Sequence, residues 1–175
     1  MRYVALLRGI NVGGKNKVSM ERLREIAAAL GFTNVKTYVN SGNLAFDTKK
    51  SDDKKLALKV HNAIEKELGL DISIMVRSID EIAGVVAKNP YIGQFDNHKD
   101  VHVIFLDREF SKDEKELLLA QANDKEMITV DGRTIYCFLK ISIIDSALGK
   151  GFIDRKLKIP ATARNWRTVE KLANL

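Results

Sequence analysis

Apolar and polar positions along the chain alternate with two different periods, and the change from one period to the other divides the sequence into elements. Alternation of two, with β-branched content, predicts strands near 3–8, 34–39, 43–47, 72–77, 101–106, 127–131 and 134–139. Between them the spacing becomes helical. Met20, Leu23, Ala27 and Leu30 make one apolar face, opened by Ser19 as N-cap and closed by Gly31. Leu56, Val60, Ile64 and Leu68 make another, closed by Gly69. A short helix follows Ser78 and ends before Asn89-Pro90, because a residue preceding proline is driven out of the helical region. Ser111 followed by Glu114 is a capping box and predicts a helix over 112–123. The last helix is predicted to begin at Thr162, with Trp166, Val169 and Leu172 on its buried face and Arg164 and Arg167 sharing another.

The resulting order is β-α-β-β-α-β, then a linking helix, then β-α-β-β-α and a C-terminal helix. The first string is the split βαβ, or ferredoxin-like, unit. The second repeats most of it, with a hairpin at Asp131-Gly132 answering the one at Ser41-Gly42. The fold class predicted is therefore α+β, two ferredoxin-like halves with antiparallel sheets and helices on one face. The expected boundaries are 1–83 for the first half, 84–100 for a linker, and 101–175 for the second half with its C-terminal helix.

Charge sharpens this picture by region. Residues 1–24 carry a net +5 and residues 150–175 another +5, while 25–149 carry −4, within a total of +6. Basic charge thus collects in the two terminal segments, which suits an anionic partner. No apolar run approaches the roughly 18 residues of a membrane span, and the apolar stretch of Met1–Arg8 is short, closed by an arginine and without a cleavage site. A cytoplasmic protein with no membrane association is expected. Cys137 stands alone in an apolar strand, so neither a disulfide framework nor a thiolate metal site is expected. His98 and His102 straddle a loop and a strand start, so their spacing does not make a metal pair, and no cofactor is implied.

Three stretches carry candidate chemistry. Arg8-Gly9-Ile10-Asn11-Val12-Gly13-Gly14-Lys15-Asn16-Lys17 is a glycine-rich basic loop between the first strand and first helix, with the ingredients of a phosphate cradle. It nearly matches the P-loop pattern. That reading fails because the helix starts at Ser19, not at Lys15, and because the hairpins predict an antiparallel sheet. Asn40-Ser41-Gly42-Asn43 is a hairpin turn whose side chains could help to hold a ligand; Ser41 lacks the surroundings of a nucleophile. Pro160–Val169 contributes Arg164, Asn165 and Arg167; two arginines at a helix N-terminus oppose the helix dipole unless an anion sits there. An RNA-recognition reading of the fold fails because the aromatic signature strand that stacks bases is absent.

These three motifs, in this order along essentially the whole chain, resemble the bacterial family known as domain of unknown function 1697. Asp154-Arg155-Lys156-Leu157 resembles the segment before the last motif, whereas Ser142–Ser146 departs from the more basic Ser-Lys-rich stretch expected there. The resemblance implies a duplicated ferredoxin-like α+β fold and brings no established activity, hence no catalytic residue.

The function expected is binding of an anionic small ligand or a nucleic-acid backbone. Arg8, Lys15, Lys17, Arg164 and Arg167 would line the site with Gly13, Gly14, Ser41 and Asn165, while Asn11, Asn40 and Asn43 orient the ligand. An enzyme acting on a phosphorylated or nucleotide substrate by positioning and electrostatics is the rival, and a module docking an acidic protein the third possibility. Oligomeric state has no signature in the sequence.

Overall fold

A computed structural model describes all residues, 1–175. The chain divides into two compact units, Met1–Gly84 with Lys171–Leu175, and Val85–Glu170.

The first unit runs β1 (Arg2–Leu7), α1 (Met20–Ala29), β2 (Thr33–Tyr38), β3 (Asn43–Asp47), α2 (Asp53–Leu68), β4 (Ile74–Ser78) and the start of α3 (Ile79–Ala87). Its sheet has the order β2-β3-β1-β4, with β1 antiparallel to both β3 and β4. This is the ferredoxin-like arrangement, in which β1 and β2 are separated by β3. One face of the sheet, through Tyr3, Ala5, Leu7, Leu44, Phe46 and Val76, packs on Leu23 and Ile26 of α1 and Val60 and Ile64 of α2. Phe32 stacks on Phe46 at 4.1 Å between ring centroids within that core. Helix α1 starts as predicted, with Ser19 Oγ accepting from Arg22 N, and α2 is capped by Asp52, whose Oδ1 accepts from Lys55 N.

The second unit runs β5 (Val101–Leu106), α4 (Lys112–Leu119), β6 (Glu126–Asp131), β7 (Thr134–Leu139), β8 (Ala161–Asn165) and most of α5 (Trp166–Leu172). The order β6-β7-β5-β8 repeats that of the first sheet. Its core joins Ile104, Leu106, Ile135 and Cys137 to Leu118 of α4 and to Ile153 and Leu157. No helix is long and apolar enough to cross a membrane.

Three expectations are corrected. The helix predicted over 112–123 ends at Leu119, because the Asn123 side chain accepts from the amides of Lys125 and Glu126 and turns the chain into β6. The second helix expected between β7 and the C-terminal helix is reduced to a 3₁₀ turn, Ile143–Asp145, and one π-helical turn, Phe152–Lys156. A Cβ at Gly149 would overlap the Ile143 carbonyl, and Ala147 N donates to the buried carboxylate of Glu126, so the segment folds back instead of winding on. Most consequentially, Thr162 does not open a helix. Residues Ala161–Asn165 are β8, paired antiparallel to β5, and the helix starts at Trp166.

With β8 in place, its pairing with β5 matches that of β4 with β1 residue by residue. Arg77 lies opposite Val4, and Arg164 lies opposite Val103, at the same positions of β4 and β8. Both arginines are buried, and each donates to the carbonyl of the residue before it. The next residue caps a helix in both units: Ser78 Oγ accepts from Glu81 N, and Asn165 Oδ1 accepts from Thr168 N. Met75-Val76-Arg77-Ser78-Ile79 and Thr162-Ala163-Arg164-Asn165-Trp166 are thus one structural motif used twice.

Candidate functional site

The basic loop is not a loose connection but a small hairpin. Val12 and Lys15 pair as an isolated bridge across Gly13-Gly14, with Lys15 N donating to Val12 O and Asn11 N to Asn16 O. Gly13 and Gly14 have φ of 58° and 77°, the two consecutive left-handed residues that a two-residue hairpin turn requires. Nothing lies within 4 Å of a Cβ built on either, so they are there for conformation and not for lack of room.

Asn11 anchors this hairpin. Its side-chain amide nitrogen donates to Val18 O at 2.9 Å and to Asn40 O at 2.8 Å, while its oxygen accepts from Val18 N at 2.9 Å. Asn16 ties the other arm by donating to Gly9 O. The Asn11–Asn40 bond joins the first two motifs into one surface at the end of β1 and of the β2–β3 hairpin. Gly42 sits where that turn meets the core: at φ 82°, a Cβ there would lie 2.7 Å from Ile10 Cδ1 and 2.8 Å from Leu7 Cβ. Asn43 is fully buried, and its amide donates to Tyr38 O and Ser41 Oγ, closing the turn. Val39 adopts φ 50°, a strained conformation for a β-branched residue, and stays half-exposed beside Asn40.

The structure therefore brings Arg8, Asn11, Gly13, Gly14, Lys15, Lys17, Asn40, Ser41 and Asn43 together on the first unit. Within the set the roles divide. The amides of Asn11 and Asn43 are engaged in building the turns, whereas Lys15 and Lys17 are exposed and form no ion pair. Between Arg8 and Lys17 there is no carboxylate. The helix N-terminus that would complete a P-loop is occupied by the Ser19 cap.

Arg164, Asn165 and Arg167 belong to the second unit. Arg164 is on β8, not on a helix, and so does not share a helical face with Arg167. Its guanidinium is buried, donates to Thr162 Oγ1 at 2.7 Å and to Ala163 O at 2.8 Å, and is pushed down to about 10 by desolvation. Arg167 is exposed on α5. The opposition between paired arginines and the helix dipole thus falls away, since only Arg167 lies on the helix.

Two cavities lie within single units. One, about 450 Å³, runs between α1 and α2, and most of its charges are engaged: Arg22 pairs with Glu25 and Glu67, and Lys59 donates to Leu30 O. The other, about 810 Å³, lies at the end of the second sheet between the 94–100 segment, His102 and residues 138–143, and Asn165 lines it too. The sequence reading treated 94–100 as linker and weighed His102 only as a metal ligand, so it missed this cavity. The aromatic residues Phe95 and Phe138, whose rings meet edge-on at 6.3 Å, were the available signal.

Other reactive groups are withdrawn from solvent. Burial pushes the Cys137 thiol well up, and Tyr136, whose hydroxyl donates to Val85 O, is pushed up to about 12 for the same reason. No three His, Cys, Asp or Glu side chains come together that could hold a metal ion, and His98 Nδ1 faces Glu170 Oε2 at 3.0 Å.

The strand order and helix placement define an α+β protein with two ferredoxin-like sheets. More particularly, the chain belongs to the family of proteins of unknown function DUF1697, whose sequence profile matches residues 1–136. The structure is similar to that of the conserved bacterial protein SP0830 from Streptococcus pneumoniae, with a TM-score of 0.76 and 27% identity over 99% of this chain and 97% of that one. No curated protein sequence matches the chain.

Proposed function

We propose that this protein binds a phosphate-bearing ligand on the surface made by the 11–16 hairpin and the 39–42 turn. The observation that carries the reading is the Asn11–Asn40 hydrogen bond, which holds two turn motifs side by side and presents Lys15 and Lys17 without a neutralising carboxylate. Cationic side chains held unpaired near one another raise the local potential and attract an anion. Arg8 borders the same loop. Arg164 has a structural role in this reading, and Arg167 adds at most a separate surface charge. The binding reading is preferred because Asn11 and Asn43, the amides best placed to orient a reacting group, are engaged in building the turns.

Titration with inorganic pyrophosphate and with a single-stranded oligonucleotide, each over a range of salt, tests this. Binding of pyrophosphate at about 100 times its dissociation constant should stabilise the protein by roughly 2.7 kcal/mol in thermal unfolding. A single-stranded nucleic acid would instead show log affinity falling with log salt at a slope of about −0.7 per phosphate contacted. Absence of both responses would overturn the reading.

A further inference from the structure

The 810 Å³ cavity of the second unit is large enough for one small organic molecule. Its lining combines two lysines, Lys99 and Lys140, with two aspartates, Asp96 and Asp100, and none of the four forms a salt bridge. A polyanion entering here would meet the aspartates, and a simple cation would meet the lysines. A ligand carrying both charges finds an opposite partner for each. The rest of the lining is mixed: Phe95, Ile141 and Ile143 give it apolar surface beside the polar Gln94, Ser142 and Asn165.

His102 adds a second observation. Its ring makes no hydrogen bond in the fold, and Nδ1 is buried without a partner. An orphaned buried nitrogen is destabilising, which marks the imidazole as a group the fold itself does not use. Burial pushes the ring pKa down more than Asp100 raises it, so the imidazole is neutral at pH 7 and able to accept a hydrogen bond from an ammonium group.

We infer that this cavity is a binding site for a zwitterionic amino acid with an apolar or aromatic side chain. Its carboxylate would face Lys99 and Lys140, its ammonium Asp100 and His102, and its side chain the ring of Phe95, which the 94–100 segment places at the end of the sheet. The inference is independent of the phosphate-binding proposal, whose residues lie in the other unit.

The test is a titration of the isotopically labelled full chain with L-phenylalanine, phenethylamine and 3-phenylpropionate, reading the ring signals of His102 and the indole of Trp166. Trp166 is the single tryptophan and lies 6.5 Å from Phe95, so it reports on this cavity. L-phenylalanine should shift both sets of signals and bind about tenfold more tightly than either singly charged analogue, because each analogue leaves one set of charges unanswered. Asp100→Asn and Lys140→Gln should each weaken it about fivefold with an unchanged melting temperature, since neither side chain takes part in a salt bridge. Silence of the His102 and Trp166 signals, equal affinity for all three compounds, or tighter binding of 3-phenylpropionate than of L-phenylalanine would each overturn the assignment.

Discussion

Gly42 shows how closely the candidate surface is built into the core. Substituting alanine would place a methyl group under 3 Å from both Ile10 and Leu7 while demanding a left-handed backbone from a residue with a Cβ. Overpacking and strain of this kind destabilise by about 2–4 kcal/mol together. Urea denaturation of Gly42→Ala should show a loss of that size, and a loss below about 1 kcal/mol would mean that the turn can shift freely against Ile10. The turn role of Asn43 and the burial of Cys137 follow from residue type and neighbours. Asn11 was legible as a special residue in a glycine-rich loop, but its tie to Asn40 joins positions 29 apart and has no local signature. Arg164 was misread because an arginine in a strand whose neighbours are Ala161 and Ala163 carries a helical propensity, and only pairing with β5 overrides it.

The starts of α1, α3 and α4 were the most legible features, since their signals lie within four residues, whereas the start of α5 was not. The capping box of α4 is present in full: Ser111 Oγ accepts from Glu114 N, and Glu114 Oε2 accepts from Ser111 N. Arg108 adds a bidentate pair to the same carboxylate at 2.8 Å through each nitrogen. These bonds, that to Arg108 foremost, hold the Glu114 carboxyl at about 2, below its ordinary 4.5. A carboxylate depressed in the folded state contributes stability above the unfolded value, and that contribution disappears as pH falls from about 4.5 towards 2. Stability curves of Glu114→Gln against wild type should therefore converge across that window and run parallel above it. Curves that stay parallel down to pH 2 would show that the capping carboxylate is not coupled to folding. Element ends were less legible: the stop of α4 depends on the Asn123 turn, and the collapse of 143–156 depends on Gly149 meeting the Ile143 carbonyl. Both are packing facts that periodicity does not carry.

The ferredoxin-like class was readable for the whole molecule because strand and helix periods alternate in the right order. The eighth strand was not, and without it the second sheet lacked the edge that makes the two units match. The matched Arg77 and Arg164, each followed by a capping residue, are the clearest mark of that repeat, visible in the sequence only once the register is known. The same correction narrows the candidate phosphate site, because it removes Arg164 from an exposed helical face and leaves Lys15 and Lys17 as its cations. A backbone-amide NMR titration with inorganic pyrophosphate, on wild type and on a Lys15→Ala/Lys17→Ala double variant, tests this directly. The phosphate reading predicts shifts concentrated at residues 9–17 and 39–43 in wild type, and affinity lower by about tenfold in the double variant with an unchanged fold. Shifts located elsewhere, or equal affinity in the two proteins, would contradict it.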